Sequence, residues 1–130
     1  MAKKQKQRQP KPQPQTEQQA KAGVFQALSL CRRAGKLVMG FDAVVEAVMN
    51  GETECVLTAA DVSENTEKRL CAAVQGLAEV QHLPLAQDEL LPISRKAVAV
   101  YAVTDSSLAR LCAQKREQFE NLSHKEEISE

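Results

Sequence analysis

Tryptophan is absent from this chain, and one tyrosine and three phenylalanines are its only other aromatic residues. An aromatic content of 3% leaves too few ring faces to stack successive bases, so an RRM-like or OB-like nucleic-acid surface is not expected. The core must instead be aliphatic, drawn from Val, Leu and Ala within an apolar fraction of 43%. Glycine occurs five times, and no G-x-G-x-x-G or G-x-x-x-x-G-K-[ST] run exists, which removes the usual nucleotide-phosphate cradles. Cys31, Cys55, Cys71 and Cys112 lie far apart with no C-x-x-C pair, so zinc-ligand spacing is missing. Each sits in an apolar segment, as expected of reduced, buried thiols in a cytosolic protein. No apolar run approaches the roughly 18 residues that span a bilayer. The basic N-terminal stretch is not followed by the apolar region of a secretory signal. The expected compartment is therefore the cytoplasm, with no membrane partner.

Net charge is also lacking, but only in the sum. Seventeen Lys and Arg balance seventeen Asp and Glu. Before Ala22 there are six basic residues (Lys3, Lys4, Lys6, Arg8, Lys11, Lys21) against Glu17 alone. From Ala22 to Cys112 eight basic residues face eleven acidic ones, and the remainder is acidic as well. A basic tail on a mildly acidic body is suited to contact with a polyanion. Residues 1–20 hold seven Gln and three of the five Pro, a composition that cannot bury enough apolar area to order itself. We therefore expect a disordered tail over 1–20, one domain over 21–113, and the end of a last helix with an acidic tail over 114–130.

What is present is concentrated in Arg32-Arg33-Ala34-Gly35-Lys36-Leu37-Val38-Met39-Gly40. A basic pair ends one amphipathic segment, a glycine turns the chain, a short apolar rise follows, and a second glycine precedes a new helical pattern at Phe41-Asp42. Cations beside a helix N-terminus suit phosphate contact. A glycine C-cap followed by a solvated basic turn would leave the same pattern.

The periodicities fill in the rest. Val24, Phe25, Leu28 and Leu30-Cys31 place a helix over about Gln18 to Ala34. Ala43, Val44, Ala47 and Val48 give a second helix, closed by Gly51. Cys55 to Ala60 is a continuous apolar run, as in a strand covered on both faces. Ser63 caps a third helix whose buried face is Leu70, Ala73, Val74 and Leu77. Val80 to Ala86 reads as a strand with Pro84 near its end, Asp88 to Leu91 as one helical turn before Pro92, and Ala97 to Val103 as the strongest strand. Asp105 or Ser106 caps a last helix carrying Leu108, Leu111 and Cys112, which frays beyond Phe119. Strands alternating with helices predict an α/β fold with about four strands and helices on both faces.

Enzymatic chemistry finds no constellation. The only histidines are His82, beside a short strand, and His124, in the acidic tail. Asp61 and Glu64 flank a helix start, where carboxylates stabilise the dipole without chemistry. Ser63 is explained as a cap. No catalytic residue, metal site or cofactor is expected.

The segment from Arg33 to Gly40, with its following helix closed by Asn50-Gly51, resembles the bacterial branch of the kink-turn-binding ribosomal protein superfamily, of L-seven-Ae and L-thirty-e type. Cys55 to Thr66 is similar to that family's apolar strand, acidic turn and S-x-N-T helix start. Val98 to Asp105 is similar to its last strand and "VTD" helix entry. The resemblance runs from about Val24 to Cys112. It implies a three-layer α/β/α sandwich around a mixed sheet, in a protein that grips sharply bent RNA. Carried over by position, the first RNA surface would be Lys36 with Gly40, Phe41 and Asp42. The second would be Ile93, Ser94, Arg95 and Lys96, with Ile93 packing on an unstacked base. Arg32, Arg33, Lys36, Arg95 and Lys96 would then lie on adjoining loops, with the basic tail beside them. The implied partners are structured RNA, ribosomal or otherwise kink-turn-containing, together with ribosomal or translation-related proteins.

The chain differs from the family pattern at three places. Asp42-Ala43 replaces the Asn-Glu of strong kink-turn binders, Glu46 stands where they carry lysine, and Leu90-Leu91-Pro92-Ile93-Ser94-Arg95 lacks both glycines of their cover loop. A carboxylate facing phosphates is repulsive. These differences keep open an alternative, an adaptor that retains the fold and binds a protein.

Overall fold

Thr16 opens the first helix: its Oγ1 accepts the Gln19 amide at 3.1 Å, satisfying a donor that the helix itself cannot. The computed structural model describes residues 16–128, with side chains as far as Ser123. Most of the expected tail, residues 1–15, thus lies outside the described residues, whereas the helix begins at Glu17, inside the stretch 1–20. The elements in order are α1 (Glu17–Arg33), β1 (Leu37–Met39), α2 (Phe41–Met49), β2 (Cys55–Thr58), α3 (Glu64–Ala73), β3 (Val80–His82), α4 (Leu91–Ser94), β4 (Val100–Val103) and α5 (Ser106–Ile128).

The four strands form one mixed sheet in the order β1-β4-β2-β3. β4 runs antiparallel to both β1 and β2, with Leu37 opposite Val103 and Thr58 opposite Val100. β3 lies parallel to β2, with Thr58 opposite His82. Alternation along the strands sorts the core into two layers. Leu57, Tyr101 and Val103 face α1, α4 and α5, where Val24, Leu28, Cys31, Ile93 and Cys112 pack. Val56, Val100 and Ala102 face α2 and α3, where Val44, Val48, Leu70 and Val74 pack. The alternating pattern predicts the helices on both faces, and the α/β/α sandwich around a mixed sheet is the one that the family resemblance implies.

Several boundaries differ from the expectation, each for a local reason. α3 stops at Ala73 because Gly76 turns the chain at φ +81°, leaving Leu77 60% exposed instead of buried. β3 ends at His82 because Pro84 has no amide for a ladder. Pro92 does not end a helical turn but sits in the first turn of α4, where its missing N–H costs nothing. α5 continues past Phe119 to Ile128. Cys31 and Cys112 are buried with their sulfurs 3.7 Å apart between α1 and α5, but Cys55 is half-buried and Cys71 is exposed. The neighbouring Cys31 sulfur, reinforced by burial, pushes the Cys112 thiol up, so it stays protonated.

Candidate nucleic-acid interface

The turn after α1 is built from backbone. Gly35, at φ +73°, lets its own amide return to Arg32 O at 3.0 Å and lets the Lys36 amide return to Cys31 O at 2.9 Å. The Lys36 carbonyl then accepts the Thr104 amide at 3.0 Å. β1 leads away from this junction to Gly40, whose amide donates to Val100 O at 2.9 Å at the other end of the strand. Gly40 sits at φ +104° and ψ 146°, a region open in practice only to glycine. It starts α2 with no side-chain cap. The first intrahelical bond runs from the Val44 amide to Gly40 O, so the amides of Phe41, Asp42 and Ala43 have no protein acceptor among the described residues. Asp42 and Ala43 are exposed, and Phe41 is half-buried.

The loop before β4 is folded tightly. Ser94 Oγ donates to Lys96 O at 2.6 Å and lies 3.2 Å from Leu90 O, and the Arg95 amide donates to Leu91 O at 2.7 Å. Arg95 takes a left-handed conformation at φ +70° with no glycine to relieve it. Ile93 and Ser94 are each 5% exposed, whereas Arg95 and Lys96 face solvent. Arg32 ties this loop to the end of β1. Its Nη1 donates to Ile93 O at 3.1 Å and lies 3.4 Å from Met39 Sδ.

The predicted site residues therefore divide. Gly40, Phe41 and Asp42 share one end of β1, and Arg32 brings the loop carrying Arg95 and Lys96 against that end. Arg33 and Lys36 are exposed but stand at the opposite end, with the three residues of β1 between Lys36 and Gly40, four steps of extended chain or about 13 Å. The close cluster of Arg32, Arg33, Lys36 and helix amides expected from the motif is not formed. Ile93 and Ser94 do not form an outward surface. Ile93 belongs to the core and offers no face to a base, because the turn of α4 points it under α1. One neighbour escaped the sequence reading: Arg69, exposed on α3, lies over the Phe41 ring with Cζ 4.6 Å from its centroid. No local pattern links residues on two separate helices.

Two other features bear on chemistry. Thr58 Oγ1 is 2.8 Å from His82 Nδ1, and His82 Nε2 is 3.0 Å from a Glu67 carboxylate oxygen. A hydroxyl, imidazole and carboxylate in line have the order of a nucleophilic triad. Here Thr58 is fully buried, so the chain fastens β2, β3 and α3 together and gives no substrate access to the hydroxyl. An open groove of about 730 Å³ lies along α1, lined by Glu17, Lys21, Phe25, Leu85 and Glu89, and includes none of the predicted site residues. Among the described residues no helix is long and apolar enough to cross a membrane.

Fold and site together define a small α/β/α protein with basic, solvent-facing side chains around an uncapped helix start. The sequence profile of the ribosomal protein L7Ae/L30e/S12e/Gadd45 family matches residues 22–129, and the chain belongs to that family. Among solved structures, it is similar to a protein of unknown function from Bacillus halodurans, with 25% identity and a TM-score of 0.66 over 72% of this chain and 96% of that one. It shares its fold with a 15.5kD RNA binding protein of Giardia lamblia, at 17% identity and a TM-score of 0.58, over 85% and 94% of the two chains. No curated protein matches the chain in sequence.

Proposed function

We propose that this chain is a non-enzymatic RNA-binding protein of the ribosomal-protein type, which docks structured RNA at the Gly40 end of β1. The observation that carries the reading is the Arg32 bridge, which runs from Met39, next to Gly40, to the Ile93 carbonyl, two residues before Arg95. Family membership and the RNA-binding Giardia protein of the same fold support it. In this reading Arg95 and Lys96 contact phosphates, and the amides of Phe41 to Ala43 donate to phosphate or base oxygens. Asp42 accepts from an exocyclic amino group. Arg32 positions the loop and does not touch RNA. Cytoplasmic, kink-turn-containing RNA is the proposed ligand, within a ribosomal or translation-related assembly.

The adaptor reading rests on a specific observation: Asp42 and Glu46 are both exposed on α2 and put negative charge where RNA would approach. One experiment separates the two. Affinity for a kink-turn duplex and for an unbent duplex of equal length is measured across a salt series, for wild type and Glu46→Lys. RNA binding predicts affinity that falls steeply with salt, favours the bent duplex, and rises several-fold with Glu46→Lys. Equal, salt-insensitive affinities unmoved by Glu46→Lys would leave only the adaptor.

A further inference from the structure

We infer that Arg69 and Phe41 form a stacking seat for one unpaired nucleobase, an inference that rests on RNA docking at the Gly40 end. Phe41 is the first residue of α2, and its ring is anchored against the apolar cluster of Val44, Leu70 and Val100. Over that anchored ring sits the Arg69 guanidinium, with Cζ 4.6 Å from the ring centroid. A guanidinium is flat, so covering one face with a ring leaves the other as a surface on which a base can lie. Arg69 is exposed and takes part in no ion pair among the described residues, so no carboxylate competes for it. Its position also matters. Phe41 carries the first of three amides without an acceptor among the described residues, so a base lying on Arg69 would bring its own phosphate close to those donors.

Aromatic scarcity strengthens the assignment. Tyr101 is buried, and Phe25 lies along the groove on α1, so of these rings Phe41 alone stands at the interface. The chain offers no platform for a run of bases, but a ring topped by a guanidinium suffices for one. A contact to phosphate alone would use Arg69 as a point charge, and lysine would serve as well. Stacking would not survive that exchange.

The test uses the full chain, an RNA duplex interrupted by an internal loop of unpaired purines, and the same RNA with abasic riboses at the unpaired positions. Arg69→Lys and Arg69→Ala should each weaken binding to the intact RNA about tenfold, the scale of one lost base stack, and leave binding to the abasic RNA unchanged. Phe41→Leu should behave similarly, with thermal melting confirming that it remains folded. Wild-type affinity in Arg69→Lys, or an equal loss in Arg69→Ala on both RNAs, would reduce Arg69 to a phosphate contact and overturn the seat. Wild type showing no salt-dependent binding to either RNA would defeat the underlying RNA reading as well. Binding by wild type that Arg69→Lys leaves intact defeats the seat only.

Discussion

Lys36 and Gly40 stand on either side of a three-residue strand, and the chain finishes the two ends in opposite ways. At the Lys36 end the backbone is closed: the Lys36 amide and carbonyl and the Glu54 amide all have partners, and the Cys31–Cys112 pair packs beside them. At the Gly40 end the Gly40 amide goes to Val100, and the next three amides have no acceptor among the described residues. The basic motif spans both ends in sequence, yet only one of them offers unpaired donors with a second cationic loop beside it. Density of charge along a chain therefore locates the turn, while hydrogen bonding decides which side of it is available to a ligand.

The largest expected effect tests where the Gly40 end stops being surface. Ile93→Ala should cost about 2–5 kcal/mol of stability, because a buried branched side chain is lost and a cavity remains. Denaturant unfolding measures this directly. A change below about 0.5 kcal/mol would mean that Ile93 is displayed and free to meet a base after all.

At the closed end, Cys31→Ser and Cys112→Ser should each lower stability by about 1–3 kcal/mol, as a hydroxyl replaces a thiol in an apolar interior. RNA affinity at saturating folded protein should not change. Cys71→Ser, at an exposed position, should shift stability by less than about 0.5 kcal/mol. Fast labelling of Cys31 and Cys112 by a bulky thiol reagent in the folded protein would contradict the burial on which this contrast depends.

How much of this was legible beforehand follows from what each feature depends on. Helices with a clear apolar stripe, such as Val24–Leu28–Cys31, and the Ser63 cap are local, and they are found where periodicity and capping place them. The two-sided burial expected over Cys55 to Ala60 is found for Val56 to Ala59, whereas the strand ends at Thr58, Cys55 is half-buried and Ala60 is exposed. The site was less legible. Leu90-Leu91-Pro92-Ile93 has no period, and only packing under α1 decides that Ile93 turns inward while Leu91 stays 41% exposed. The destination of Arg32 is a carbonyl far along the chain, so its place as a strut rather than a free cation is tertiary information. The pairing of Arg69 with Phe41 is of the same kind.

Charge reversal compares the two ends directly. Arg95→Glu should weaken binding to a structured RNA tenfold or more, on the order of 1.4 kcal/mol, whereas Lys36→Glu should cost about threefold or less. Both residues are exposed, so neither change should unfold the protein. Measured at two salt concentrations, the Arg95→Glu loss should shrink at the higher one as phosphate attraction is screened. Equal losses at both positions would erase the distinction between the ends and restore a single basic surface.

The smallest effect separates strain from charge at one residue. Arg95 holds φ +70°, a conformation that costs an L-residue about 1–2 kcal/mol and that glycine adopts freely. Part of that gain is offset, because glycine gives the unfolded chain more freedom to lose. Arg95→Gly should therefore raise stability by about 0.5–1 kcal/mol while removing the cation and weakening RNA binding. Arg95→Lys keeps both the strain and the charge, so its stability and affinity should stay near wild type. A variant that is more stable yet binds less tightly would show that the loop tolerates a strained backbone in order to present a cation at the open end of β1. If Arg95→Gly instead lowers stability, the guanidinium is holding the loop together, and its contribution belongs to folding rather than to the RNA.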